Sequence, residues 1–331
     1  MTCVERPETV ARARSDLADI EQWLRRFDVT AALVHRAGRT VVELGDVSRP
    51  IHVHSIRKSI LSALFGQAYD RGQVDLGATL DELGIDDTPA LTDKEGSARI
   101  EDLLAARSGV YLPTDDGGVL GRPPRGSHPP GTFWCYNNWD FNVLGNIYER
   151  ITGRSVFVAF EHDLARPLGM TDWDTYQHGS YQYRADILGG TTRYPNYTFH
   201  LSARDIGRFG ELYLKTGVWN GRRLLSPEWI ARSTGPLSRT THQAGVLGMY
   251  GYCWWVAGPS DELSHIGIAD SRYSAIGFGG NFLTVLPDID TVVTVMTDAA
   301  VSPADSSTSR PGPLTNDDYQ ELVAHLVAAL S

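Results

Sequence analysis

The chain has 331 residues, 42% hydrophobic and 21% charged, enough apolar material for a large buried core and unlike a disordered or fibrous protein. Its formal charge of −10 speaks against nucleic acid or an anionic membrane surface as a partner, since both recruit clustered positive charge. Lysine is scarce: Lys58, Lys94 and Lys215 are the only three, so each carries information.

The chain opens on a charged amphipathic pattern, a helix from about Pro7 to Phe27 with no apolar signal-peptide core. No apolar run approaches membrane-spanning length, and a cytoplasmic protein is expected. TAALVHR and TVVEL are strand-like runs separated by Ala37-Gly38-Arg39, which predicts a hairpin. IHVH leads into SIRKSILSALFGQAYDRG, whose apolar residues at 56, 60, 61, 64 and 65 recur at helical spacing, with Gly72 near the end. Residues 75–185 hold short helical patterns and Pro/Gly loops, and the prolines between Pro113 and Gly131 suggest a shaped rim. NWDFNVLGNIYERITG predicts an amphipathic helix that Asn138 could cap. LSARDIGRFGELYLKTG predicts another, with Ser202 as N-cap and Gly217 as C-cap. Strand-like YGYCWWV, YSAIGFGGNFLTVLP and TVVTVMTD follow, and a last helix runs from Asp317 to Leu330. Strands at both ends with helices between them predict an α+β fold with one antiparallel sheet built from the N- and C-terminal segments. Helices flank that sheet. The expected organisation is a single domain, 1–331, in which 1–74 and 186–331 form an α/β part and 75–185 a mostly helical insertion.

Chemistry concentrates at Ser55-Ile56-Arg57-Lys58, an S-x-x-K pattern where a strand-like run meets a helix. A serine hydroxyl is a weak nucleophile until a base stands within hydrogen-bond reach. Positions i and i+3 share a helix face, so Lys58 can aim its amine at the Ser55 hydroxyl. Partial burial would lower the pKa of that amine and let it accept a proton. The helix N-terminus adds positive potential where an oxyanion would form. Tyr136-Asn137-Asn138 offers a phenol able to relay a proton, though a packed aromatic and a helix cap would satisfy the same residues. A second Y-x-N, Tyr194-Pro195-Asn196, sits in a proline-broken loop and reads as pocket wall or structure. Lys215-Thr216-Gly217 ends a helix, where lysine offsets the dipole and glycine caps, so it is not read as catalytic. In Tyr273-Ser274-Ala275-Ile276-Gly277-Phe278-Gly279-Gly280-Asn281 the glycines allow close backbone approach and a second oxyanion donor; a bulge or turn would explain them equally well. Trp134, Trp139, Tyr111, Tyr194, Tyr197, Trp254 and Tyr273 lie on or beside loops expected at the pocket rim, with core packing the competing reading. Cys3, Cys135 and Cys253 make no C-x-x-C and the histidines no H-x-x-x-H, so no metal and no cofactor are expected.

Together these segments resemble the serine β-lactamase and penicillin-binding-protein superfamily, most closely its class C β-lactamase, family VIII carboxylesterase, D-aminopeptidase and 6-aminohexanoate-dimer hydrolase branch. SIRKS resembles the nucleophile box and PPGTFWCYNNWDFNVLGNIYERITGRS the tyrosine box with its helix. IEDLLAARSGVY, RPLGMTDW and GFGGNFLTVLPDIDTVVTV follow in the family's order. The resemblance implies a β-lactamase/transpeptidase-like fold and an acyl-enzyme on Ser55, with Lys58 as base and Tyr136 as proton shuttle. It also implies Asn138 against the substrate and oxyanion donors from Ser55 and Phe278, beside Gly277 and Gly279. The family's Lys/His-Thr/Ser-Gly box is replaced by I-G-F-G-G-N, which counts against penicillins as the main substrate. Two enzyme activities are implied, hydrolysis of a small ester or amide and transfer of the same acyl group to an acyl acceptor. A binding module without turnover is the third, non-enzymatic expectation.

Overall fold

A two-residue turn, Ala37-Gly38, joins β1 (Ala31–Arg36) to β2 (Arg39–Gly45), and both turn residues have positive φ, 48° and 72°, the geometry that follows a hairpin's twist. The expected hairpin is therefore present. The structure, a computed structural model, describes residues 17–114, 122–182, 192–240, 248–257, 271–298 and 312–330. Of the expected first helix, residues 17–24 are helical (α1); its earlier part, and the middle of the Pro113–Gly131 loop, lie outside the described residues.

β3 (Ile51–His52) delivers the chain to α2 (Ile56–Asp70). Every residue of α2 from Ile56 to Ala68 is buried, so this is a central helix with neighbours on all sides and not a one-faced surface helix. Its Gly66 lies against an indole: a Cβ there would sit 2.4 Å from the Trp229 ring. α3 (Asn138–Thr152) follows, ending on Gly153 in the left-handed conformation. β4 (Gly179–Gln182) and β5 (Asn196–Leu201) join β3 in a three-stranded sheet. Then come α4 (Ala203–Leu214), a small ribbon of β6 (Val218–Trp219) and β7 (Arg222–Arg223), and α5 (Pro227–Thr234).

The remaining strands are β8 (Ser238–Arg239), β9 (Met249–Tyr250), β10 (Trp255–Val256), β11 (Tyr273–Gly277), β12 (Asn281–Leu286) and β13 (Thr291–Met296), and α6 (Asn316–Leu330) follows them. They build an antiparallel sheet of eight strands in the order β2-β1-β13-β12-β11-β10-β9-β8. No described residue between 75 and 182 contributes a strand to it. Alternation along the strands separates two cores. Ala32, Val34, Phe282, Leu286, Val293 and Val295 face α1 and α6, while Leu283, Val285, Val292 and Met296 face α4 and the central helix. Each of these buried Val, Leu, Phe and Met side chains contributes about 1.5–3 kcal/mol of transfer free energy.

Local chemistry corrects three details of the sequence reading. YGYCWWV is not one strand: Cys253 takes φ 61°, and the run folds back as the β9–β10 hairpin. The N-cap of α3 is Asn137, not Asn138, and its amide donates to the Val110 carbonyl at 2.7 Å instead of closing a cap. Ser202 does cap α4, accepting from the Asp205 N–H at 3.1 Å, but that helix ends at Lys215, with Thr216 at φ 48°. Gly217 is needed one step later, where a Cβ would sit 2.1 Å from the Leu225 carbonyl oxygen. Among the described residues no helix is long and apolar enough to cross a membrane.

Candidate active site

Ser55 stands at the N-cap position of α2, and its side chain makes no cap hydrogen bond. Instead its Oγ accepts from Lys58 Nζ at 2.8 Å, one helical turn away. Lys58 is only 2% exposed, a burial that a lysine rarely tolerates without partners. Its ammonium lies 4.7 Å from the centre of the Tyr136 ring and 4.9 Å from that of Phe141, and these π faces offset part of the lost hydration. Tyr136 is held by a stack on Trp255 at 5.5 Å and an edge contact with Tyr250 at 6.1 Å. Ser55, Lys58 and Tyr136 thus meet in one place.

That place is a cavity of about 540 Å³, walled also by His52, His54, Arg57, Asn138, Gln182, Asn196 and Phe278. Asn138, the first residue of α3, keeps its Oδ1 buried and unbonded, as does Asn196 at the start of β5. Phe278, at the tip of the β11–β12 turn, is 77% exposed and closes one side. The turn is tied down by Asn281, whose amide donates to Phe278 O at 2.9 Å and whose Oδ1 accepts from Thr297 N at 3.1 Å. Gly279 and Gly280 have φ of 78° and 86°, so the turn reading of these glycines holds. Gly277 has a second reason: a Cβ there would fall 2.5 Å from Val53 O and 3.3 Å from His54 Cβ, so only glycine lets β11 lie against the segment entering Ser55.

His54 immediately precedes the serine with φ 47°, its ring 4.0 Å from His52 and 5.7 Å from Phe278. Burial, reinforced by the charges of Lys58, His200 and Arg57, pushes its pKa down to about 4. At neutral pH the imidazole is uncharged. Arg57 donates to Asn142 Oδ1 at 2.9 Å and lies 4.2 Å from the centre of the Tyr197 ring, binding α2 to α3 and β5.

None of the seven aromatic residues expected at the rim lines the cavity; all are buried in the core. Tyr194 is 7% exposed, bonds through its hydroxyl to the Asp86 carbonyl at 2.9 Å and does not line the cavity; of the second Y-x-N, only Asn196 reaches it. Trp134 packs behind Tyr136, with ring centres 6.5 Å apart, and lines a different cavity. Lys215 pairs with Glu211 at 2.9 Å and covers Trp219, away from Ser55. Arg272, which neighbours the glycine-rich strand in sequence, is buried and bonds to Gln320 on α6.

Sequence reasoning did not assign His52, His54, Arg57 or Gln182 to the wall, and it left Asn196 as wall or structure. Adjacency to the S-x-x-K pattern was a signal for His54 and Arg57, and the repeated Y-x-N for Asn196; Gln182 carried none. Cys135 and Cys253 are buried thiols, Cys135 pushed up to about 12 and Cys253 also raised, both chiefly by burial, so neither competes as a nucleophile; Cys3 lies outside the described residues. No cluster of His, Cys, Asp or Glu able to hold a metal occurs among the described residues.

A serine–lysine pair at the head of a buried helix, beside an antiparallel sheet drawn from both ends of the chain, defines the β-lactamase class of proteins. The family model described as Beta-lactamase matches residues 21–311, and the chain belongs to that family. Solved structures share the fold across nearly its whole length. A penicillin-binding-protein homologue from Caulobacter crescentus is 15% identical, with 98% of each chain covered and a TM-score of 0.69. A class C β-lactamase in complex with cefoxitin is 12% identical, with 97% of this chain and 99% of that one covered at a TM-score of 0.68. A family VIII carboxylesterase is 16% identical over 99% of both chains at a TM-score of 0.66.

Proposed function

We propose that the protein is a serine hydrolase that cleaves a small ester or amide through an acyl-enzyme on Ser55. The observation that carries this reading is the 2.8 Å contact between Ser55 Oγ and a buried Lys58 Nζ inside a cavity large enough for a small substrate. In the reaction Lys58, in its neutral form, takes the hydroxyl proton as Oγ attacks the carbonyl carbon. The tetrahedral oxyanion is held by the backbone N–H groups of Ser55 and Phe278, the first at the positive end of α2. Tyr136 passes the proton to the departing alkoxide or amine, which leaves the acyl-serine ester. Water, deprotonated through the same residues, then attacks that ester, releases the acid and restores the serine.

The wall favours polar substrates. Asn138 and Asn196 each present a carboxamide whose oxygen lacks a partner, which suits a substrate carrying an amide or hydroxyl near the reacting carbonyl. Intact-mass spectrometry after exposure to a panel of small esters and amides, nitrocefin included, tests the reading. A mass increase equal to the acyl group, absent in Ser55→Ala, is expected. No adduct and no product from any member, together with no labelling by a fluorophosphonate, would overturn it. Analysing products with and without an amine or alcohol acceptor separates hydrolysis from acyl transfer, since both draw on one intermediate.

A further inference from the structure

Behind Tyr136 lies a second cavity, of about 330 Å³, lined by Arg107, Thr132, Phe133, Trp134, Leu237, Ser238 and Arg239. It shares no lining residue with the cavity of Ser55. Three of its side chains keep a buried polar atom with no hydrogen-bond partner: Arg107 Nε, Trp134 Nε1 and Ser238 Oγ. Trp134 is 4% exposed and Ser238 9%, so water does not readily satisfy either. An indole N–H and a guanidinium Nε–H can only donate, and a hydroxyl can donate as well. Buried donors are nearly always paired, because leaving one unpaired costs the fold. Several such atoms around one hollow indicate an acceptor that is brought from outside.

Charge selects the acceptor. The Arg107 guanidinium lines the hollow, and no Asp or Glu does so among the described residues. Asp102 feels the Arg107 charge, yet among the described residues Arg107 forms no ion pair. Shape selects the rest. Phe133 and the 40% exposed Leu237 give the hollow an apolar side. The Arg107 backbone is fixed on the segment entering Tyr136, since its carbonyl accepts from Gly131 N at 2.8 Å and the Ala106 carbonyl from Cys135 N at 2.9 Å.

We propose that this second cavity binds a small organic carboxylate with an apolar body. Its oxygens take the hydrogens of Arg107, Trp134 and Ser238, and its body rests on Phe133 and Leu237. The site stands independently of the chemistry assigned to Ser55.

Isothermal titration calorimetry with benzoate, and separately with inorganic phosphate, tests the assignment on the wild-type protein, Ser55→Ala and Arg107→Met. Benzoate should bind saturably to the first two, and Arg107→Met should weaken it about tenfold or more, as loss of a charge-assisted hydrogen bond requires. Circular dichroism melting and fluorophosphonate labelling report whether Arg107→Met is folded. If it is not, Ser238→Ala and Trp134→Phe, each removing one donor, take its place. Absence of saturable benzoate binding, or equal affinity in every variant of this cavity, overturns the site. Phosphate binding as tightly as benzoate overturns the ligand class. Failure of Ser55 to acylate would leave these outcomes unchanged.

Discussion

Ser55 and Lys58 meet because helical spacing sets them on one face and the core closes around the amine. Ser55→Ala and Lys58→Ala are each expected to lower kcat/KM on an acylating ester by about a thousandfold or more, measured by initial rates. Lys215→Ala, which breaks a peripheral pair with Glu211, should keep activity within about twofold. The reverse pattern would transfer the role of base to Lys215. His54 gives a test in pH. Its folded pKa is depressed, by burial first, to about 4, against 6.5 for the ordinary ring. Between those values the unfolded chain holds a proton that the folded one lacks, so stability is complete above about pH 6.5 and falls as pH drops toward 4. His54→Asn, which tolerates the positive φ, should flatten the pH dependence of urea stability in that window by close to one proton. An unaltered slope would remove His54 from this account. The serine, lysine and tyrosine were readable because their chemistry is written in local spacing. His52 and Gln182 were not, since the pairing of β3 and β4 with β5 brings them to the wall only in the folded chain.

At the scale of elements, hairpins and caps were legible where their signals are local. Ala37-Gly38 announced a turn, and Ser202 a helix start. What stayed hidden depended on single backbone conformations, such as positive φ at Cys253 and Thr216, which aromatic or helical patterns do not reveal. The contact of β11 with the segment before Ser55 is the element-level feature that most affects activity. Gly277→Ala would drive a methyl group against Val53 O, 2.5 Å away, and the strand must retreat. Slower fluorophosphonate labelling of Ser55, by about tenfold or more, is expected together with a lowered Tm, as overpacking costs about 1–3 kcal/mol. Wild-type labelling in a normally folded Gly277→Ala protein would show that the close approach is not required.

For the whole molecule, the eight-stranded sheet divides two cores with different duties. One surrounds the central helix and the Ser55 cavity; the other lies under α1 and α6, on the far face. Leu326 is fully buried in the second, and Leu326→Ala should cost about 2–5 kcal/mol in urea melts while activity per folded molecule stays unchanged. A kcat that falls with it would tie the back of the sheet to the site. Composition and strand–helix order foretold an antiparallel sheet taken from both ends of the chain. They could not foretell the three-stranded sheet of β3, β5 and β4, in which Ile51 pairs with the distant Leu201. That same joining of distant segments orders events at birth: Ala31 pairs with Met296, so the first hairpin leaves the ribosome long before its neighbour exists. Until then it holds an uncovered edge, open to chaperones or to other nascent chains, and closure of the sheet waits until the strand around Met296 has been made.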